Sequence, residues 1–167
     1  MKRILVDDAK CLACHSCEIA CAVAHSDSKT LYGAISEQPP LRSGLHVEPG
    51  GKGRGFPLGC RHCQEPQCVR ACVTKALHSH SDGVVHYNKN LCLGCQMCII
   101  ACPFGTIEEN ISTEAFSVSK CDLCDGSAEP SCVTACPTKA LIFEDADLHS
   151  KSKRRKYLVE LSTSSEQ

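Results

Sequence analysis

Sixteen of the 167 residues are cysteine, and their placement constrains the fold more than any other feature. They fall into four blocks of four with none left over: Cys11, Cys14, Cys17, Cys21; Cys60, Cys63, Cys68, Cys72; Cys92, Cys95, Cys98, Cys102; and Cys121, Cys124, Cys132, Cys136. The blocks are of two kinds. CLACHSCEIACA at 11–22 resembles CLGCQMCIIACP at 92–103, and CVRACVTKAL at 68–77 differs from CVTACPTKAL at 132–141 at two of ten positions. The chain therefore reads as a duplicated unit.

Blocks one and three have the spacing C-x2-C-x2-C-x3-C, the run that binds [4Fe–4S] clusters in bacterial ferredoxins. At four thiolates per cluster, sixteen cysteines match four clusters. Other cysteine chemistries fit less well. Eight disulfides would suit a small exported chain, but MKRILVDDAKC has no apolar core of a signal peptide, and disulfides give no reason to repeat C-x2-C-x2-C. Structural zinc sites separate two C-x2-C pairs by a longer spacer; a third cysteine after two residues crowds one tetrahedral ion. Radical-type clusters leave an iron open and use three cysteines, and Rieske ligation replaces two thiolates by histidines. Here no thiolate is missing for His15 or His62 to replace, so these histidines either tune neighbouring sulfurs or face solvent.

Aromatic residues are only 4% of the chain and tryptophan is absent, thin material for an ordinary apolar core. Clusters would fill the interior, and much of the folding free energy would be metal binding. The formal charge of −1 becomes about −9 with sixteen thiolates and four oxidised cores. That acidity suits an electron carrier and argues against nucleic acid as a partner. No apolar run approaches membrane-spanning length, and so many thiolates suit a reducing compartment; the expectation is a cytoplasmic protein, or one brought to a membrane by a partner. The basic run Lys151, Lys153, Arg154, Arg155, Lys156 reads as part of a flexible tail, or as a dock for an acidic partner or membrane headgroups.

The expected fold class is α+β with little regular secondary structure. Ile4–Val6 predicts a strand before block one and Ala140–Phe143 a strand after block four, able to pair. Asp82-Gly83 predicts a hairpin joining 76–78 to 84–87. A helix is expected over 16–24, and short helices after Cys68, Cys98 and Cys132 that carry each block's last cysteine and stop at prolines such as Pro103 and Pro137. Residues 25–59, rich in glycine and proline, read as a long loop for partner contact or cluster shielding. GGKGRG only superficially resembles a phosphate-binding loop. No acid–base or nucleophile set stands out, so the chain is not expected to be an enzyme itself.

In two-cluster ferredoxins the fourth cysteine of each run ligates the other cluster. Cys72 and Cys92 are separated by a strand–turn–strand of ferredoxin length, so blocks two and three make one unit and blocks one and four the other. The expected ligand sets are Cys11, Cys14, Cys17 and Cys136; Cys21, Cys121, Cys124 and Cys132; Cys60, Cys63, Cys68 and Cys102; and Cys72, Cys92, Cys95 and Cys98. One ferredoxin-like unit (60–103) is then inserted into a discontinuous one (1–24 plus 104–145), with the loop insertion at 25–59 and the basic tail at 146–167.

The four blocks together, with HCQEPQCV in block two and KCDLCDG and PSCVTACPTKAL in block four, resemble the four-cluster iron–sulfur subunits of the DMSO reductase class, a family that includes the CooF and HycB types. The resemblance covers residues 1–145. Ala22 and Val73 depart from it, standing where ferredoxins often have proline. The resemblance implies the same nested pairing and a non-catalytic electron-transfer subunit in a hetero-oligomer. Such a subunit relays single electrons between a large catalytic redox subunit, of carbon monoxide dehydrogenase, formate dehydrogenase or hydrogenase type, and a second redox protein. The alternatives are a free-standing polyferredoxin shuttle and a zinc-binding interaction module.

Overall fold

The computed structural model describes residues 1–38, 42–111, 116–125 and 127–164. The elements run β1 (Lys2–Val6), α1 (Ser16–His25), α2 (Leu31–Ser36), β2 (Leu45–Pro49), β3 (Gly55–Gly59), α3 (Gln67–Arg70), β4 (Leu77–Ser79), β5 (Val85–Tyr87), α4 (Met97–Ala101), β6 (Glu108–Ile111), β7 (Phe116–Ser119), α5 (Ser131–Thr134), β8 (Leu141–Asp145) and α6 (Ala146–Ser164). Among the described residues the strands form four antiparallel two-stranded ribbons, β1–β8, β2–β3, β4–β5 and β6–β7. This is a small α+β scaffold in which loops carry most of the cysteines.

β1 and β8 join the first block to the last, with Ile4 opposite Phe143 and Val6 opposite Leu141. β4–β5 forms around the Asp82-Gly83 turn, where Gly83 takes φ +72°. The short helices carry the third cysteine of each block, Cys68, Cys98 and Cys132, and not the last as expected. Cys72, Cys102 and Cys136 lie at or just past the helix ends; only α1 is long enough to carry both Cys17 and Cys21. Proline starts two of these helices: the Pro66 carbonyl accepts from Val69 and Arg70, and the Pro130 carbonyl from Val133 and Thr134.

Two expected segments differ in the structure. Residues 25–59 contain α2 and the hairpin β2–β3, in which Leu45 and Val47 alternate inward and are buried. GGKGRG is the connector of that hairpin, preceded and followed by strands. Over 146–164 the basic tail is helical: the Asp145 carboxylate accepts from the amides of Asp147 and Leu148 and so caps α6, and the lysines, arginines and leucines that follow are good helix formers. The ribbon β6–β7 was not expected either. No described helix is long and apolar enough to cross a membrane.

Among the described residues the buried side chains form two cores. One gathers Cys11, Cys17, Cys21, Cys132 and Cys136 with Leu45, Val47, Val133, Ala140 and Leu141. The other gathers Cys68 and Cys98 with Leu77, Val85, Ile107 and Val118, with Cys72 and Cys102 packed against it. Cysteine supplies much of the interior of both.

Candidate metal centres

None of the sixteen cysteines is in a disulfide. Cys11, Cys14, Cys17 and Cys136 line one small cavity, roofed by Val47 and Pro57. Cys72, Cys92, Cys95 and Cys98 line a second, with Tyr87 and Val118. The remaining eight are near one another electrostatically. Burial raises the Cys60 thiol, with Cys102 and Cys63 adding to it; burial raises Cys68 to about 11, helped by Cys60 and Cys102. Burial also raises Cys132, with Cys121, Cys21, Cys124 and, from block one, Cys17 contributing. Two groups of four thiols thus line cavities, and the other eight cysteines lie close enough to influence one another.

The third and fourth cysteines of a block sit in opposite environments. Those on helices are held protonated, chiefly by burial: Cys17 at about 11, Cys68 at about 11, with Cys98 and Cys132 also raised. For the fourth cysteines burial acts the same way, but hydrogen bonds overcome it and all four thiols are lowered. Leu77 N donates to Cys72 at 3.4 Å and Ala140 N to Cys136 at 3.2 Å. Thr74, Thr138 and Thr106 hydroxyls lie 3.8, 3.8 and 3.5 Å from Cys72, Cys136 and Cys102. Cys21 differs. Gly44 N donates to it at 3.2 Å, and His25 Nδ1 lies 3.8 Å away. The Asp122 carboxylate, 3.0 Å from His25 Nε2, is the main cause holding this imidazole charged, up to about 11. Gly44 is needed at its position, because a Cβ there would come within 2.9 Å of the Cys121 backbone.

The loop backbone is repeated as faithfully as the cysteines. Ala13 and His15 take positive φ in block one, and Gly94 and Gln96 do so at the same places in block three; Lys75 and Lys139 match after blocks two and four. A non-glycine residue in this region is costly and persists where its surroundings demand it. Alternating right- and left-handed residues turns successive amide N–H groups inward, a concavity suited to an anion.

Three observations show that these residues fit iron–sulfur clusters. Thiols gather in fours in two cavities, and the loops around them repeat left-handed residues of the kind that help build anion-binding concavities. Buried donors also lack acceptors beside block two. Among the described residues, His62 Nε2 and Arg3 Nη1 are buried without a hydrogen-bond partner. His62 is 1% exposed, and its Nδ1 accepts from Val85 N at 3.1 Å, so its proton sits on Nε2. Arg3 Nη2 donates to the carbonyls of His62 and Gly83, and Cys60 and Cys63 are the largest influences on its guanidinium after burial. Cluster sulfur beside Cys60 and Cys63 would supply acceptors that the protein does not. A cationic iron core would reverse the burial penalty on the third cysteines, because a coordinating thiol is deprotonated outright. Sequence reading left His62 undecided. The Arg3 contact had no local signal, since it spans 59 residues.

Tyr87 adds a polar contact to the cavity of Cys72, Cys92, Cys95 and Cys98. Its oxygen accepts from Val118 N at 3.3 Å, and burial followed by a hydrogen bond to the Cys92 sulfur pushes its phenol up to about 12. Hydrogen bonds to ligand sulfur raise a cluster's potential. Tyr87→Phe is therefore expected to lower the midpoint potential of one cluster by roughly 20–60 mV, read by anaerobic redox titration with electron paramagnetic resonance, at unchanged iron content.

A scaffold of cysteine-filled cores and short ribbons, with thiols gathered in fours, defines an iron–sulfur electron-transfer protein. The chain belongs to the 4Fe-4S dicluster domain family, whose model matches residues 53–146. It is 38% identical over 168 residues to an iron–sulfur protein of Rhodospirillum rubrum, covering 92% of this chain and 87% of that one. It is 32% identical to the electron transport protein HydN of Escherichia coli K12 (95% and 99% covered) and 31% identical to formate hydrogenlyase subunit 2 of the same organism (93% and 88%). The chain is an electron carrier holding [4Fe–4S] clusters and is not itself an enzyme.

Proposed function

We propose that this chain carries four [4Fe–4S] clusters in a row and works as a cytoplasmic relay subunit between a large catalytic redox subunit and a second redox protein. When bound, the clusters would supply one-electron storage. The chain's part is to hold them in order and to expose the two ends. The proposed ligands are Cys11, Cys14, Cys17 and Cys136 for the first; Cys21, Cys121, Cys124 and Cys132 for the second; Cys60, Cys63, Cys68 and Cys102 for the third; and Cys72, Cys92, Cys95 and Cys98 for the fourth. Contacts between sets support that order. Cys17 of the first acts on Cys132 of the second, Cys121 of the second feels Cys60 of the third, and Cys68 and Cys98 share one core. In this reading residues 60–103 are the inserted unit, and the flanking segments form the other.

The observation that carries a relay, in preference to a store, is the pattern of exposure. Cys14 and Cys95 are the exposed cysteines, and they belong to the first and last sets. Leu12 and Leu93, at equivalent places in the repeat, stand beside them at 65% and 76% exposed. Each end of the row therefore offers an accessible thiolate framed by apolar surface, as docking at two places requires. The name of formate hydrogenlyase subunit 2 indicates a relative that works within such an assembly.

Anaerobic preparation is expected to give about sixteen iron and about sixteen sulfide per chain. Cys136→Ser should remove the cluster of block one, and Cys102→Ser that of block two, each costing roughly a quarter of the iron. A folded chain holding half the iron, or a Cys136→Ser variant whose loss maps to block two, overturns the assignment. Anaerobic affinity purification from the native cell should recover a large redox subunit in fixed ratio. Recovery of the holo-chain alone, able to reduce several unrelated acceptors, would favour a free shuttle.

A further inference from the structure

We propose that the β4–β5 hairpin carries a second kind of metal site, for a first-row divalent cation of the zinc type, built from His80, Asp82 and His86 and flanked by His78. The segment HSHSDGVVH places three imidazoles and a carboxylate within nine residues. The fold converges them. His80 Nδ1 and His86 Nε2 lie 3.3 and 3.0 Å from the same oxygen, Asp82 Oδ2. One ligand atom from each of the three residues lies within 4.8 Å of the other two. The rings of His78 and His86, cross-strand partners, stack at 6.0 Å, and those of His80 and His86 meet edge-on at 5.5 Å.

The site is oriented by the turn and not merely crowded. Asp82 Oδ1 accepts from Val84 N at 2.7 Å, which fixes the carboxylate and leaves Oδ2 facing the imidazoles. The turn is closed by His80 N to Val84 O at 3.1 Å and Gly83 N to His80 O at 2.9 Å. Ligand carboxylates anchored in this way by a backbone group are the ordinary support of a metal site. The Val84 amide and, after it, the His86 side chain hold Asp82 down at about 2, so the carboxylate is ionised. Two imidazole nitrogens and one carboxylate oxygen suit zinc, nickel, copper or ferrous iron and not magnesium or calcium, which take oxygen ligands. The set contains no thiol and is separate from the four cysteine blocks. Binding displaces any protons that the histidines share with Asp82 into solvent, and the imidazoles then donate lone pairs.

The test uses the cluster-loaded chain in anaerobic equilibrium dialysis against zinc sulfate, with zinc and iron both counted. The expected result is a single zinc per chain at unchanged iron, not displaced by a large excess of magnesium. Asp82→Asn keeps an oxygen for Val84 N and the turn, and His86→Gln keeps the strand; each should weaken zinc binding at least roughly tenfold with iron still unchanged. The proposal is overturned if the wild type takes up no zinc, if both variants bind as well as the wild type, or if zinc uptake is matched by loss of iron.

Discussion

A chain whose residues 45–59 are replaced by a short flexible linker is expected to lose about half its iron, and to lose it from the sites built on blocks one and four. The hairpin β2–β3 is part of the first core. Leu45 and Val47 are 5% and 8% exposed, and burial of each stabilises by about 1.5–3 kcal/mol. Val47 and Pro57 cover the cavity of Cys11, Cys14, Cys17 and Cys136. Leu45, Pro57 and Gly59 pack beside Cys121 and Leu141. The backbone contributes too: Val47 N donates to the Glu18 carboxylate on α1. Together these reach roughly 5–8 kcal/mol, comparable with the whole net stability of an ordinary domain of about 5–15 kcal/mol. The second core uses none of these residues, so its sites should stay loaded. The milder Leu45→Ala, Val47→Ala double variant should show the same bias at smaller amplitude if the deletion proves insoluble. Iron analysis with spin quantitation of the reduced protein checks it, and full iron in the deletion variant would show that the segment only decorates the surface.

That outcome reverses what composition suggests for 25–59, and the reason is instructive. Glycine and proline density reads as loop, yet in EPGGKGRG it marks the hairpin connector. The signal for the strands was the short alternation Leu45-His46-Val47, only one period long and easily lost beside so many breakers. β6–β7 was hidden similarly; its buried anchors are Val118 in β7 and Ile107 just before β6. Features that cysteine spacing dictates were legible, because four thiolates per cubane is a chemical count that packing cannot alter. The duplication was legible too, and it reappears in the backbone at Ala13 and Gly94 and at Lys75 and Lys139. The left-handed conformation itself was not, since alanine, glutamine and lysine carry no such preference. There the loop geometry overrides the local tendency. Likewise, helices of four or five residues gave no way to tell which cysteine they would carry.

His62→Phe is expected to lower the midpoint potential of the cluster beside Cys60 and Cys63 by roughly 40–90 mV, if one hydrogen bond to its sulfur is worth roughly 1–2 kcal/mol more in the reduced state. Burial first, then the positive charges of Lys120 and Arg3, push the His62 imidazole down to about 3, so it is neutral and carries one proton. Val85 N donates to Nδ1, which leaves that proton on Nε2, buried and without an acceptor among the described residues. A buried donor without an acceptor costs about 1–3 kcal/mol, and Arg3 Nη1 repeats the same deficit next to it. Two such donors beside two proposed ligand cysteines are accounted for if cluster sulfur receives them. Reduction adds negative charge to that sulfur, so the hydrogen bonds strengthen in the reduced form and the potential rises; removing one lowers it. Phenylalanine also strands Val85 N, so some loss of stability accompanies the shift. His62→Asn separates the two roles, because its amide can still serve Val85 N while nothing reaches the Nε2 position. The asparagine variant should recover stability and keep the lowered potential. It should also lose the exchangeable-proton coupling that pulsed spectroscopy detects on the reduced cluster. An asparagine variant with wild-type potential and coupling would mean that His62 only supports β5, and that the orphaned donors point elsewhere.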